Sequence, residues 1–245
     1  MVKTNIINFN KTCDIAGYTV LIPSIGVGNV AQLSVDLLIS TLQMEKVATV
    51  WHSSIVPIIG PKAFQHDTSN ITTSCELYVS NAKKIAAFQL RSPLVAATMN
   101  EFFNELIDFL KSRKIAKLIL LTSSYAYEQH FVGANPFAVI VDDAFKGIET
   151  DVVQRMKWNE FQGDIIHGGG YVKQLMSVAS RNGIPTLTLF KYVSEGDNSG
   201  DAVTLLEELN AGFSIIERIG DGKINIIFPV SWKSLFGNPI PEQLY

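Results

Sequence analysis

Ile22 to Leu33 reads IPSIGVGNVAQL, which sets Gly26, Gly28 and Ala31 at the G-x-G-x-x-G/A spacing between an apolar run and a helical pattern. Such a turn can hold a pyrophosphate, because small residues let the backbone approach it at the positive end of a helix. A dinucleotide site needs a second part, an acid about twenty residues on at the tip of the next strand, to bind the ribose hydroxyls. His52 and Ser53 stand there instead, and the nearer acids Asp36 and Glu45 fall within or at the end of the helix. Glycines are equally needed wherever a chain turns tightly from strand to helix. A second glycine cluster, Gly168 to Gly170, opens another helical pattern and could expose amides to an anion, but no G-K-[ST] follows it. The loops at 26–29 and 168–170 define one functional alternative, a nucleotide- or nucleoside-binding enzyme.

The acid-rich turn SEGDNSGD offers Glu195, Asp197 and Asp201 as oxygen ligands for a divalent cation. Its spacing departs from the D-x-[DN]-x-[DN]-G calcium loop. The same residues suit a turn at Gly196 with Asp197, Asn198 or Ser199 capping the next helix. His52, His66, His130 and His167 are isolated, and no Cys-x-x-Cys exists to complete a metal set. Ser123-Ser124 follows an apolar strand pattern without a local base, and no G-x-S-x-G elbow appears. No catalytic residue, cofactor or metal is therefore expected.

The elements around these turns follow from periodicity. Gly17 to Ser24 reads as a strand, Val30 to Met44 as a helix and Lys46 to Ser53 as a strand, with the polar stretch Pro61 to Ser69 as a mobile loop. TSCELYVS and KIAAFQLRS flank Asn81-Ala82-Lys83 as an antiparallel hairpin. Thr98 to Lys114 carries a wide apolar stripe, and KLILLTSS is apolar throughout its centre, as a strand covered on both faces must be. PFAVIVDD, IPTLTLFKYV and INIIFPV read as strands, and Gly168 to Arg181 and Ala202 to Leu209 as helices. Alternating strands and helices predict a three-layer α/β sandwich with a mixed, mostly parallel sheet and helices on both faces. No linker divides the chain, so residues 1–245 are expected to form one domain, with 238–245 as a flexible tail.

Composition narrows the partners. At 47% hydrophobic and 18% charged residues, 245 residues can bury a substantial core. A net charge of −3 provides no field for nucleic acid, and no stretch approaches the ~18 apolar residues of a membrane span. Cys13 and Cys75 are too few for a disulfide framework and fit a reducing compartment; the N-terminus has no apolar signal region.

SIGVGNVAQLSVDLLISTL, QLRSPL, LTSSYAY, FKYVSEGDNSGDA and SWKSLFG follow one another from Ser24 to Gly237. In that order they resemble the proteasome assembly chaperone 2 family, most specifically through Val193 to Asn198 and Ser231 to Gly237. The resemblance implies a non-enzymatic role in the cytoplasm and nucleus. Such a protein pairs with proteasome assembly chaperone 1, and the heterodimer binds α subunits of the 20S proteasome, promotes α-ring formation and prevents off-pathway ring pairing. Gly26, Gly28, Asn29, Glu195, Gly196, Asp197 and Asn198 then belong to turns of the family pattern. Trp232 and Phe236 are candidates for either a partner surface or the core.

The resemblance also implies a C-terminal tail that enters pockets between α subunits, with a hydrophobic-Tyr-any ending in the better-known cases. This chain ends PIPEQLY, giving Leu244 and Tyr245 with no residue after the tyrosine. That shift moves the terminal carboxylate by one residue relative to the ring. Residues 238–245 can reach roughly 25 Å when extended, and Pro239 and Pro241 limit the entropy lost on docking.

Overall fold

The computed structural model describes residues 6–129, 135–220 and 222–234. The strands are β1 (Ile7–Phe9), β2 (Thr19–Pro23), β3 (Glu45–Val50), β4 (Ile59–Pro61), β5 (Ile71–Thr73), β6 (Cys75–Ser80), β7 (Ile85–Leu90), β8 (Lys117–Tyr125), β9 (Phe137–Val141), β10 (Asn159–Glu160) and β11 (Thr186–Val193). The helices are α1 (Val30–Thr41), α2 (Met99–Ser112), α3 (Asp143–Ile148), α4 (Thr150–Met156), α5 (Val172–Arg181) and α6 (Ser199–Phe213). Nine strands make one sheet in the order β1-β3-β6-β7-β2-β8-β11-β9-β10, and β4 with β5 makes a separate ribbon.

Alternation along the central strands divides the core in two. Val20 and Ile22 of β2, with Leu118 and Leu120 of β8, face α2 and α5, whose Phe103, Leu106, Leu175 and Ala179 complete that layer. Leu21, Ile119, Leu121, Leu187 and Leu189 face the other way, toward α1 and α6 with Phe145 of α3 and Val152 of α4. Side chains that alternate across a strand can fill both faces only if both are covered, which produces the three layers.

The sheet is mixed. Its parallel pairings join β2 to β7 and β8, β8 to β11, and β9 to β10. An equal number of antiparallel pairings joins β1 to β3, β3 to β6, β6 to β7 and β9 to β11. The parallel character is thus concentrated at the centre. The hairpin expected around Asn81-Ala82-Lys83 pairs Cys75 with Leu90 through Ser80 with Ile85.

Two local expectations need correction. INIIFPV forms no strand; only Ile224 makes a bridge, to Arg218. Ile224 and Ile226 instead pack on the α1 and α6 side, and Ile227 N donates to Thr41 Oγ1 at 3.0 Å. The Pro61 to Ser69 stretch is anchored rather than mobile. Phe64 is fully buried with its ring centroid 5.3 Å from that of Tyr78, edge to face, and Ser231 N donates to Ala63 O.

Candidate functional site

β2, β8 and β11 run parallel and end on one side of the sheet. Open α/β sheets hold ligands in the crevice at such carboxyl ends. Here that crevice is occupied by the chain itself. Val27 N donates to Gly168 O at 2.8 Å, and the hydroxyls of Ser24 and Thr122 each donate to Gly169 O at 2.9 Å. Ser123 Oγ donates to Val27 O at 2.6 Å and Ser124 Oγ to His167 O at 2.9 Å. Tyr171 closes the far side, its backbone N–H donating to Ser24 Oγ and its phenol to Pro23 O.

The glycines at 26 and 170 serve this junction. A Cβ on Gly170 would lie 2.2 Å from Ile25 O, and one on Gly26 would lie 2.7 Å from Ser123 Oγ and 3.0 Å from Gly168 O. Close approach is therefore to the backbone at Gly170 and first to the Ser123 and Thr122 hydroxyls at Gly26, where a nucleotide loop would bring backbone to phosphate. The serine pair also has its role, as donors to buried carbonyls.

The acid-rich turn joins the same junction through one residue. A Cβ on Gly28, which has φ of +66°, would lie 2.2 Å from Asn198 Oδ1. Asn198 is buried at the start of α6, where its Nδ2 donates to Ser194 O at 2.8 Å and to Asp201 Oδ2 at 2.9 Å. Lys191 Nζ donates to Asp201 Oδ1 at 2.6 Å, so that carboxylate already holds its cation. Asp197 Oδ1 accepts from the Ser199 amide at 3.0 Å, and hydrogen bonds from Ser199 keep its carboxyl below the usual range. Among the described residues no three His, Cys, Asp or Glu side chains are grouped to hold a metal ion.

The structure thus brings Gly26, Gly28 and Asn198 together with Gly168 to Gly170. Asn29 is exposed in the left-handed conformation ahead of α1, with φ of 52°, and Glu195, Gly196 and Asp197 are exposed. Leu244, Tyr245 and Phe236 lie outside the described residues. Trp232 is half-buried against the α1 and α6 layer, with Phe228 edge-on to it and exposed.

Beside the junction a cavity of about 780 Å³ runs between Ser124, Phe161, Ile165 and Tyr192. Glu128, Glu160 and Asp164 line it with no lysine or arginine, which does not suit a phosphate.

Sequence reasoning missed a buried ion pair. Asp36 on α1 accepts from Arg91 Nη1 at 3.1 Å and Nη2 at 2.7 Å, and from Gln89 Nε2 at 2.7 Å. Burial alone would lower the Arg91 pKa, and the charge and hydrogen bonds of Asp36, joined by Tyr78 and Glu76, more than offset it, so the net direction is upward. The available signal was a carboxylate between Val35 and Leu37, inside an apolar helix face. An acid that fails as a ribose ligand proves to be the anchor of α1 on β7.

A model of the PAC2 family matches residues 20–216. The chain is 31% identical over 254 residues to proteasome assembly chaperone 2 of Bos taurus, covering 95% of this chain and 96% of that protein. It is 32% identical over 254 residues to proteasome assembly chaperone 2 of Mus musculus, with the same coverage. It superposes on PbaA of Pyrococcus furiosus, an archaeal homolog of proteasome-assembly chaperone, with a TM-score of 0.69 at 18% identity over 88% of this chain and 89% of that one. That last likeness is one of fold. With most of its length inside the family match, the chain belongs to the PAC2 family.

Proposed function

We propose that this protein is a proteasome assembly chaperone that works as a heterodimer with proteasome assembly chaperone 1. In this reading the pair binds 20S proteasome α subunits in the cytoplasm and nucleus, promotes formation of the α ring and prevents off-pathway ring pairing. The observation that carries it is similarity along nearly the whole chain to proteins named proteasome assembly chaperone 2. The filled crevice at the ends of β2, β8 and β11 supports a function in surfaces rather than in bond-making. The chain acts as a single α/β domain, and its last residues, including Leu244 and Tyr245, contact the α ring.

Affinity purification of the tagged full chain tests the reading. Proteasome assembly chaperone 1 and α subunits are expected to accompany it, and recovery of neither would end the proposal. Calorimetry with nucleotides tests the enzyme alternative, against which stand the hydrogen bonds that join the two glycine loops to each other. Tight binding abolished by Gly28→Asp would restore that alternative.

A further inference from the structure

From Val47 to Pro61 the chain has no Lys, Arg, Asp or Glu. This run leaves β3 and returns as the β4–β5 ribbon, and it exposes Trp51, Val56, Ile58 and Ile59, the last at 71%. Ile71 on the ribbon's other strand and Val95 are exposed beside them. Backbone contacts hold these segments side by side: Val56 N donates to Pro93 O, Val95 N donates to Ser54 O, and Pro61 pairs with Ile71. These six side chains expose on the order of 500 Å² of apolar surface, near the top of the range for the largest patch on a monomer. One partner in a standard interface contributes about 800 Å².

Next to Trp51 the face sinks into a concavity of about 590 Å³ with Ile6, Ile55 and Pro57 on its floor. Glu101 and Glu105 of α2 line it with His52, whose Nε2 lies 4.0 Å from Glu105 Oε2, and among the described residues no lysine or arginine does. We propose that this face is the seat of the chaperone's permanent partner subunit. An apolar side chain of the partner fills the concavity, and its lysine or arginine side chains meet Glu101 and Glu105. The inference rests on the heterodimer reading above.

Three arguments select this occupant. An assembly factor must release its client, and each release would return a charge-free face to water as an aggregation site, so the face suits a partner that stays. Permanent interfaces are also the more apolar class. A second copy of this chain related by a twofold axis would bring the same patch against itself, setting Glu101 and Glu105 toward their own copies, with His52 beside Glu105 as the one group among the described lining residues that could carry positive charge.

The test is co-expression of the tagged full chain with proteasome assembly chaperone 1, comparing wild type, Ile59→Lys and the pair Glu101→Lys with Glu105→Lys. Partner recovery is expected to fall at least ~10-fold for each variant, with melting temperature unchanged. Wild-type recovery of the partner by either soluble variant overturns the seat while leaving the heterodimer reading intact. If the wild-type chain recovers no partner, the heterodimer reading itself fails and the seat with it. If the isolated chain sediments as a dimer that Ile59→Lys dissolves, the occupant is a second copy and the proposal is overturned. Should Ile59→Lys be insoluble, the glutamate pair on the wall of the concavity decides.

Discussion

Asn198 occupies the space that a side chain at residue 28 would need. A Cβ there would lie 2.2 Å from its Oδ1 and 2.4 Å from its Cγ. The turn entering α1 and the turn entering α6 are therefore one contact, reinforced where Ser34 Oγ donates to Ala202 O at 2.9 Å. Two motifs 170 residues apart in sequence are each half of one joint, since 198 − 28 = 170.

Gly28→Ala is expected to destabilise the protein by about 2–4 kcal/mol, combining the left-handed backbone penalty with the clash. Adding Asn198→Ala removes the obstructing atoms but not the backbone strain, so the double variant should recover part of the loss. A double-mutant cycle by urea unfolding should give a coupling of roughly 1 kcal/mol. Strict additivity would show that residue 28 does not meet residue 198.

Asp36→Ala strands the Arg91 guanidinium and removes an acceptor from Gln89. The expected cost is about 3 kcal/mol, typical of breaking a largely buried pair by removing one partner. Combining it with Arg91→Met replaces both ends with apolar groups and should restore most of the stability. Equal instability of single and double variants would show that the pair adds nothing beyond packing.

The central elements were legible because each carries its own period. The β2-turn-α1 unit, the β6–β7 hairpin, α2, β8, α5 and β11 all declare themselves locally. β1 and β10, of 3 and 2 residues, exist only through their partners. α3 carried a readable cap, Asp142, whose Oδ1 accepts from Phe145 N at 2.7 Å, but its residues also read as the end of a strand. β9 runs antiparallel to β11, which depends on how the chain returns to the sheet and not on the side chains of Phe137–Val141. The glycine turns could be recognised singly. That they meet follows from strand order, which no local pattern contains.

Alkaline pH should loosen the fold. Burial raises the Cys75 thiol above its ordinary value of 9.0, with Glu76 adding to the effect, and burial raises the Tyr171 phenol well above 10.0. Both groups keep their protons in the folded chain after the unfolded chain has released them. Their contribution is therefore complete below about pH 9 and declines as pH rises further, because the unfolded state then binds fewer protons. Urea midpoints should be level between about pH 7 and 8.5 and fall above pH 9. A midpoint that rises through that window would refute the assignment.

Deleting Gln243 to Tyr245 should weaken α-ring binding and leave the pairing with proteasome assembly chaperone 1 unchanged. The proposed partner seat lies at Trp51 to Ile59, and the chain's last described turn is held by Trp232 against the α1 and α6 layer and by Ser231 N to Ala63 O. An aromatic ring supplies large buried area with a polar tip, so Leu244 and Tyr245 offer apolar contact together with a hydroxyl that can hydrogen-bond. Tyr245→Ala should lose the ring contact and keep that of Leu244, giving a smaller loss than the deletion. Equal ring affinity for wild type, deletion and Tyr245→Ala would place α-subunit recognition elsewhere on the domain.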